Sequence, residues 1–195
     1  MTNYEARALI CNPTLEQPRP QSWCDLGCGS GRFTVALAQS LASGSTIHAV
    51  DINQMALKQI PDEYQGVAIR KVFGDLQSPG LRLPSVDGIL MANSLHFIQN
   101  QELLLRKLVS ITDCIVIVEY ERSKPHRWGP YPVGFERLRE LFRKSGVRDI
   151  KRLATRRSRF GGEMYSALAT TPKGTTLPAL SPLDQTNGRN HASAE

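Results

Sequence analysis

Asp25, Gly27, Gly29 and Gly31 lie within WCDLGCGSGRF, residues 23–33, and give that stretch the spacing D-x-G-x-G-x-G. Glycines so closely set let a chain turn tightly and bring its backbone against a ligand. A helix starting just beyond them offers unpaired N–H groups in its first turn. A dinucleotide pyrophosphate is one ligand such a loop can take, although a glycine pattern alone says little about it. The acidic residue in front alters the chemistry, because a carboxylate at the mouth suits a ligand bearing a cationic amine better than a bare pyrophosphate. Asp51 lies 20 residues after Gly31 at the end of an apolar run, where an acidic residue can grip ribose hydroxyls. Asp75, in VFGDL, ends the next run, where it can accept a bond from an adenine amino group. Each alone reads as a solvated loop carboxylate. Three at successive strand ends make a site.

Alternating strands and helices are needed to hold these residues in register. SWCDLG reads as a short buried strand, and GRFTVALAQSLAS follows at helical spacing with Phe33, Leu37 and Leu41 four apart. STIHAVDI is a second strand, NQMALKQI a short helix stopped by Pro61, GVAIRKVFGDL a third strand and VDGILMANSL a fourth. Asn100 can cap the helix QELLLRKLVS. CIVIVEY is almost continuously apolar, as in a strand buried on both faces of a parallel sheet. FERLRELFRKSG sets Phe135, Leu138 and Phe142 on one face and ends at Gly146, a plausible C-cap. Two last runs, about 147–155 and 163–170, read as an antiparallel pair. Repeated strand–helix units imply a mostly parallel sheet covered on both faces.

The 195 residues suit one domain with some tail, and 41 % hydrophobic against 22 % charged residues is a globular balance. The division expected is a short N-terminal cap at 1–21, a principal domain at 22–170 and a disordered tail at 171–195, where Pro, Thr, Ser, Asn and Gly accumulate. No apolar run approaches a membrane span, and the first residues lack the build of a signal peptide. The four cysteines form no CxxC pair and read as free thiols, so a cytoplasmic location is expected. The net charge of +6 is uneven: residues 121–159 carry 13 Lys/Arg against 4 Asp/Glu. That segment can face an acidic partner, or simply be a solvated surface.

The motifs resemble those of the class I S-adenosylmethionine-dependent methyltransferases, small-molecule type. WCDLGCGSGRFTVALA is similar to the first motif, HAVDIN and VFGDLQ to the second and third, and VDGILMANSLHFI to the fourth. With CIVIVEY and the terminal hairpin, the likeness runs in order over about 22–170. It implies an α/β, Rossmann-like sheet of seven strands in the order 3-2-1-4-5-7-6, the last pair antiparallel, with helices on both faces. It implies S-adenosyl-L-methionine as cofactor and S-adenosyl-L-homocysteine as product. The cofactor residues it implies are Asp25, Gly27, Cys28, Gly29 and Gly31 around the methionine part, Asp51 and Ile52 by the ribose, Asp75 and Leu76 by the adenine, and Asn93 opening toward the methyl group. Asp25 would complement the ammonium group directly or through the first-turn N–H groups that it orients.

Methyl transfer from a sulfonium is an in-line displacement, and a general base helps only when the acceptor arrives protonated. The aromatic (D/N/S)-P-P-(Y/F/W) motif of amino-group methylation is replaced by Met91-Ala92-Asn93-Ser94, and no Pro-Cys pair follows that strand. No set of metal ligands stands out near the fourth and fifth strands. His96 reads as a packing or capping residue. The insertion ERSKPHRWGPYPVG after the fifth strand, with Trp128, Arg127 and three prolines, is expected to wall an acceptor pocket, and Tyr120, His126 and Tyr131 are its acceptor-site candidates. A small-molecule acceptor is expected. The alternative is an RNA or protein substrate docked on the basic 121–159 segment.

Overall fold

The structure, a computed structural model, describes residues 1–127, 129–158 and 162–171. Helix α1, Asn3–Ile10, opens the chain on a reciprocal cap in which Glu5 N donates to Thr2 Oγ1 (3.2 Å) and Thr2 N to the Glu5 carboxylate (2.6 Å). There follow β1 (Ser22–Leu26), α2 (Arg32–Ala38), β2 (Thr46–Asp51), α3 (Gln54–Leu57), β3 (Glu63–Tyr64), β4 (Val67–Phe73) and β5 (Gly88–Ala92). A single 3₁₀ turn, Leu95–Phe97, leads to α4 (Gln101–Val109), β6 (Cys114–Tyr120), α5 (Phe135–Lys144), β7 (Asp149–Arg157) and β8 (Glu163–Thr170). Asn100 caps α4 by accepting from Leu103 N at 3.1 Å.

The strands form one sheet in the order β3-β4-β2-β1-β5-β6-β8-β7. β4, β2, β1, β5 and β6 run parallel, β8 is antiparallel to β6, and β7 to β8. The order expected from the sequence is present with one correction: the sheet has eight strands. The extra one, β3, arises because Gln65 and Gly66 both adopt positive φ (52° and 78°) between Tyr64 and Val67, a two-residue hairpin loop that folds β3 back onto β4. β7 forms the opposite edge and carries a register shift between Arg152 and Ala154.

Side-chain alternation along the central strands separates two cores. Ile89, Met91, Ile115 and Ile117 meet Leu105 and Leu108 of α4 and Leu138 and Phe142 of α5. Leu90, Val116 and Val118 point the other way, toward Phe33 and Leu37 of α2 and Leu9 and Ile10 of α1. β6 is buried on both faces, as its apolar run predicts. Trp23, fully buried, lies across from Gly88, where a Cβ would come within 2.4 Å of the indole. That glycine is what lets β1 and β5 pair at the centre of the sheet. The tail expected at 171–195 lies, from residue 172 onward, outside the described residues.

Candidate active site

Strand β1 ends at Leu26, and the next five residues turn into α2. Gly27, Gly29 and Gly31 all hold positive φ, at 73°, 55° and 85°, a region costly to residues with a Cβ. Two of them also need the space. A Cβ on Gly27 would lie 2.4 Å from Ser94 Cβ, and one on Gly31 would lie 2.7 Å from Ile60. A Cβ on Gly29 would meet nothing within 4 Å. The outer glycines are therefore clamped by the exits of β5 and α3, while the middle one faces open space.

The loop is tied to its neighbours by hydrogen bonds. Gly27 N and Cys28 N donate to Val50 O, at 2.8 and 3.1 Å. Asp51 accepts from Gly29 N through Oδ2 (2.7 Å) and from Asn53 N through Oδ1 (2.8 Å), so one carboxylate joins the loop to the exit of β2. Ser94 Oγ donates to Leu26 O at 2.7 Å. Asp75 lies two residues beyond the end of β4 and accepts from Gln77 N at 2.8 Å, while Gln77 Oε1 accepts from Gln99 N at 3.0 Å. The exits of β1, β2, β4 and β5 are thus linked along one rim. Leu76 lies beneath Gly27, with Cδ1 3.8 Å from the position of a Cβ there. Ile52 and Phe73 are exposed, at 60 % and 58 %, unusual values for large apolar side chains beside a core.

Asp25 differs from the other carboxylates. It is fully buried, and its Oδ2 accepts from Thr34 Oγ1 at 2.6 Å. Among the described residues no first-turn amide of α2 donates to it; its partner is a hydroxyl in that turn. Its Oδ1 is buried with no hydrogen-bond partner. Burial pushes its pKa up to about 7, against the Thr34 bond, with Asp51 adding to the rise. Among the described residues, Asn93 Oδ1 is the other buried side-chain oxygen without a donor, on a residue held at φ 54° whose N–H goes to Val118 O. Cys28 is buried beside these groups, and that burial raises its thiol pKa.

On the other side of Asn93, β6 and the segment that follows it form a second region. Glu121, Arg122, Ser123, Pro130 and Tyr131 help line a cleft of about 680 Å³ that also touches Gln99 and Gln101. Tyr131 N donates to His96 O (3.0 Å), and Gln101 Nε2 donates to Tyr131 O (2.8 Å) and Leu95 O (3.2 Å). Tyr165 Oη donates to Val133 O at 2.7 Å. The segment after β6 is thereby pinned against the exit of β5. Tyr131 lines the cleft, while Tyr120 is half-buried with its ring edge-on to His96 at 6.1 Å. His126 is exposed and forms an isolated bridge with Gly129. Trp128, expected in the same wall, lies outside the described residues.

Sequence reasoning missed the pairing of His96 with Glu119. Glu119 is 1 % exposed near the end of β6; its Oε1 accepts from His96 N (3.1 Å) and its Oε2 lies 2.7 Å from His96 Nδ1. One signal was available: a lone carboxylate in an otherwise apolar strand needs a partner. That the partner stands 23 residues earlier depends on β5 and β6 being neighbours.

Residues 24–113 match the family model described as a methyltransferase domain. Among curated proteins none matches the chain significantly. Among solved structures, the chain is similar to the magnesium protoporphyrin IX methyltransferase of Synechocystis PCC 6803 with bound S-adenosylhomocysteine, at 16 % identity and TM-score 0.65, over 87 % of this chain and 81 % of that one. The YcgJ protein of Bacillus subtilis is similar at 11 % identity and TM-score 0.67, over 88 % of this chain and 100 % of that one. An arsenic(III) S-adenosylmethionine methyltransferase from Chlamydomonas reinhardtii is similar at 16 % identity and TM-score 0.60, over 87 % and 72 %.

Proposed function

We propose that this chain, a class I S-adenosylmethionine-dependent methyltransferase, methylates a small polar acceptor held in the cleft between the 121–134 segment and the exit of β5. The observation that carries the cofactor half is the set of unfilled places on the rim. Gly29 faces open space, and Asp25 Oδ1 and Asn93 Oδ1 are buried acceptors without donors. Both call for hydrogen-bond donors, which an ammonium group supplies. These residues fit a sulfonium amino acid better than a pyrophosphate, which brings no donor.

The bound cofactor supplies a methyl group on a cationic sulfur. The Gly27–Gly31 backbone would lie against its methionine part, with Asp25, Cys28 and Asn93 around it. Asp51 would hold the ribose, with Ile52 beside it, and Asp75 and Leu76 would hold the adenine. Asp51 is already fixed by two backbone N–H groups, so it meets hydroxyls without reorganising. The protein's remaining work is to align an acceptor in line with the methyl group and keep water out. Tyr120, Tyr131 and His126 stay the acceptor-side candidates from this segment.

Charge pairing favours a small acceptor over a polyanion. Arg137, Arg139, Lys144, Lys151, Arg152 and Arg156 of the basic segment each pair with a carboxylate. In the cleft itself, Glu121 is taken by Arg152 and by Phe135 N, and Glu136 by Arg139. A neutral polar acceptor suits such a lining. The similar proteins named for magnesium protoporphyrin IX and arsenic(III) also act on small molecules, in keeping with this reading. The three buried thiols at Cys24, Cys28 and Cys114 suit the reducing cytoplasm.

Calorimetry with S-adenosylmethionine, S-adenosylhomocysteine and NAD tests the cofactor half: the first two bind and NAD does not. Label transfer from methyl-labelled cofactor into the small-molecule fraction of a cell extract, compared with transfer into RNA and protein, tests the acceptor half. Label found only in RNA, with a steep loss on adding salt, overturns it. Tyr131→Phe and His126→Ala should lower transfer without changing S-adenosylhomocysteine affinity; normal transfer in both removes the 121–134 segment from the acceptor site.

A further inference from the structure

We propose that His96 is the general base of this enzyme and that Glu119 is the residue that positions it; the assignment rests on the methyltransferase reading above. Glu119 stands in a strand otherwise made of Cys, Ile, Val and Tyr, and is 1 % exposed. Burying a carboxylate is costly unless it is well partnered. Here both oxygens are engaged on one residue, Oε1 on His96 N and Oε2 on His96 Nδ1. A carboxylate at 2.7 Å requires a hydrogen on Nδ1. In the neutral ring the basic lone pair then belongs to Nε2, which has no hydrogen-bond partner among the described residues.

The position of this ring is the second part of the argument. His96 follows Asn93 by three residues on the exit of β5, and its carbonyl accepts from Tyr131 N, which lines the cleft. Gln101, another lining residue, donates to the carbonyls on both sides of this contact, those of Leu95 and Tyr131. The backbone of His96 therefore joins the exit of β5 to a wall residue of the cleft, while its ring, buried among Glu119, Phe97 and Tyr120, lies behind that wall. The same buried pair fixes the backbone and the tautomer of His96. A ring needed only for packing would not require a buried carboxylate to choose its tautomer.

In the step itself, a lone pair on the acceptor's O, N or S atom forms the new bond to the methyl carbon. The carbon–sulfur bond breaks with its electron pair going to sulfur, leaving the neutral thioether of S-adenosylhomocysteine. The acceptor's proton passes to Nε2, and the resulting imidazolium is balanced by Glu119 before solvent removes the proton. Among the described residues, the other titratable groups facing the pair are Tyr120, edge-on at 6.1 Å, and Tyr165, whose hydroxyl is committed to Val133 O.

His96→Asn keeps an N–H for Glu119 and removes Nε2; Glu119→Gln keeps the shape and removes the charge. Long-range ¹H–¹⁵N spectra of the imidazoles should show wild-type His96 with hydrogen on Nδ1 and a bare Nε2 at pH 8, and a mixture of tautomers in Glu119→Gln. S-adenosylhomocysteine affinity, by calorimetry, should stay within about threefold in both variants. Label transfer into the small-molecule fraction should fall roughly 100-fold or more in His96→Asn at pH 7, and the deficit should close as rising pH ionises the acceptor unaided. A bare Nδ1, undiminished transfer in His96→Asn, or a deficit equal at every pH overturns the assignment. Wild-type protein that binds no S-adenosylhomocysteine overturns the cofactor reading beneath it. Binding without transfer to small molecules overturns the acceptor reading instead, and the base with it.

Discussion

The glycine loop at 27–31 and the segment at 121–134 flank the same exit of β5, yet they are held in different ways. The loop is held through its backbone: three positive φ angles, amides bonded to Val50 O and Asp51, and two positions where Ser94 and Ile60 leave no room for a Cβ. The later segment is held by contacts from far along the chain, from His96, Gln101 and Tyr165. The first kind of order rests on backbone geometry and close approach and is intolerant of substitution. The second is distributed, so its residues can change while the path of the chain survives. On the function proposed above, the first construction would serve the cofactor and the second the acceptor.

The largest test of that difference is Gly27→Ala. It adds left-handed strain of about 1–3 kcal/mol and an overlap with Ser94 of about 1–3 kcal/mol. Thermal unfolding should shift strongly downward and S-adenosylhomocysteine binding should be lost. A near-normal melting curve with normal affinity would show that the loop is not held as described.

Asp25→Asn should act through pH. Asp25 keeps its proton up to about 7 in the folded chain but loses it near ~3.9 when unfolded. Between those values the folded state binds the extra proton, so wild-type stability falls as pH rises from about 4 to 7 and then levels off. The asparagine variant lacks that fall. Its melting temperature should gain on wild type between pH 5 and pH 8, by the equivalent of a few kcal/mol at most. Parallel pH curves for the two proteins would contradict the burial of a carboxyl with only one oxygen partnered.

If Asp51 meets the ribose as proposed, Asp51→Ala should weaken S-adenosylhomocysteine binding by about 1–3 kcal/mol, read by calorimetry, and it also leaves Gly29 N without its carboxylate. The smallest effect is expected from replacing Arg143, Arg148 and Arg157 together with alanine. Small-molecule transfer should stay within about twofold and show no steep salt dependence, since surface charges away from a site contribute little. A loss of transfer confined to RNA would join the basic segment to the substrate surface.

The sequence and the structure agree best where order is local. The D-x-G-x-G-x-G spacing, Asp51 at the end of β2 and the Asn100 cap could be read because each depends on residues within one turn or one strand end. β3 escaped because it is two residues long and depends on the φ angles of Gln65 and Gly66. Asp25 was legible as an acidic residue beside the loop, but its bond to Thr34 and its unpartnered oxygen were not, since both depend on how α2 seats on β1. His96 and Glu119 were visible as an isolated histidine and an isolated carboxylate. Only the adjacency of β5 and β6 makes them a pair.

The outer strand β7 has a further consequence, for self-association. Its free side presents a row of backbone donors and acceptors, the template on which a second sheet can add. Lys151, Arg152, Arg156 and Arg157 stand along that strand, and the register shift between Arg152 and Ala154 interrupts its regular ladder. An approaching identical edge would meet an irregular backbone under long side chains, three of them already held in ion pairs with Asp149, Glu121 and Glu5. The opposite edge is only the two-residue β3. A short β3 on one side and an irregular, side-chain-covered β7 on the other make both ends of the sheet poor templates for a further strand.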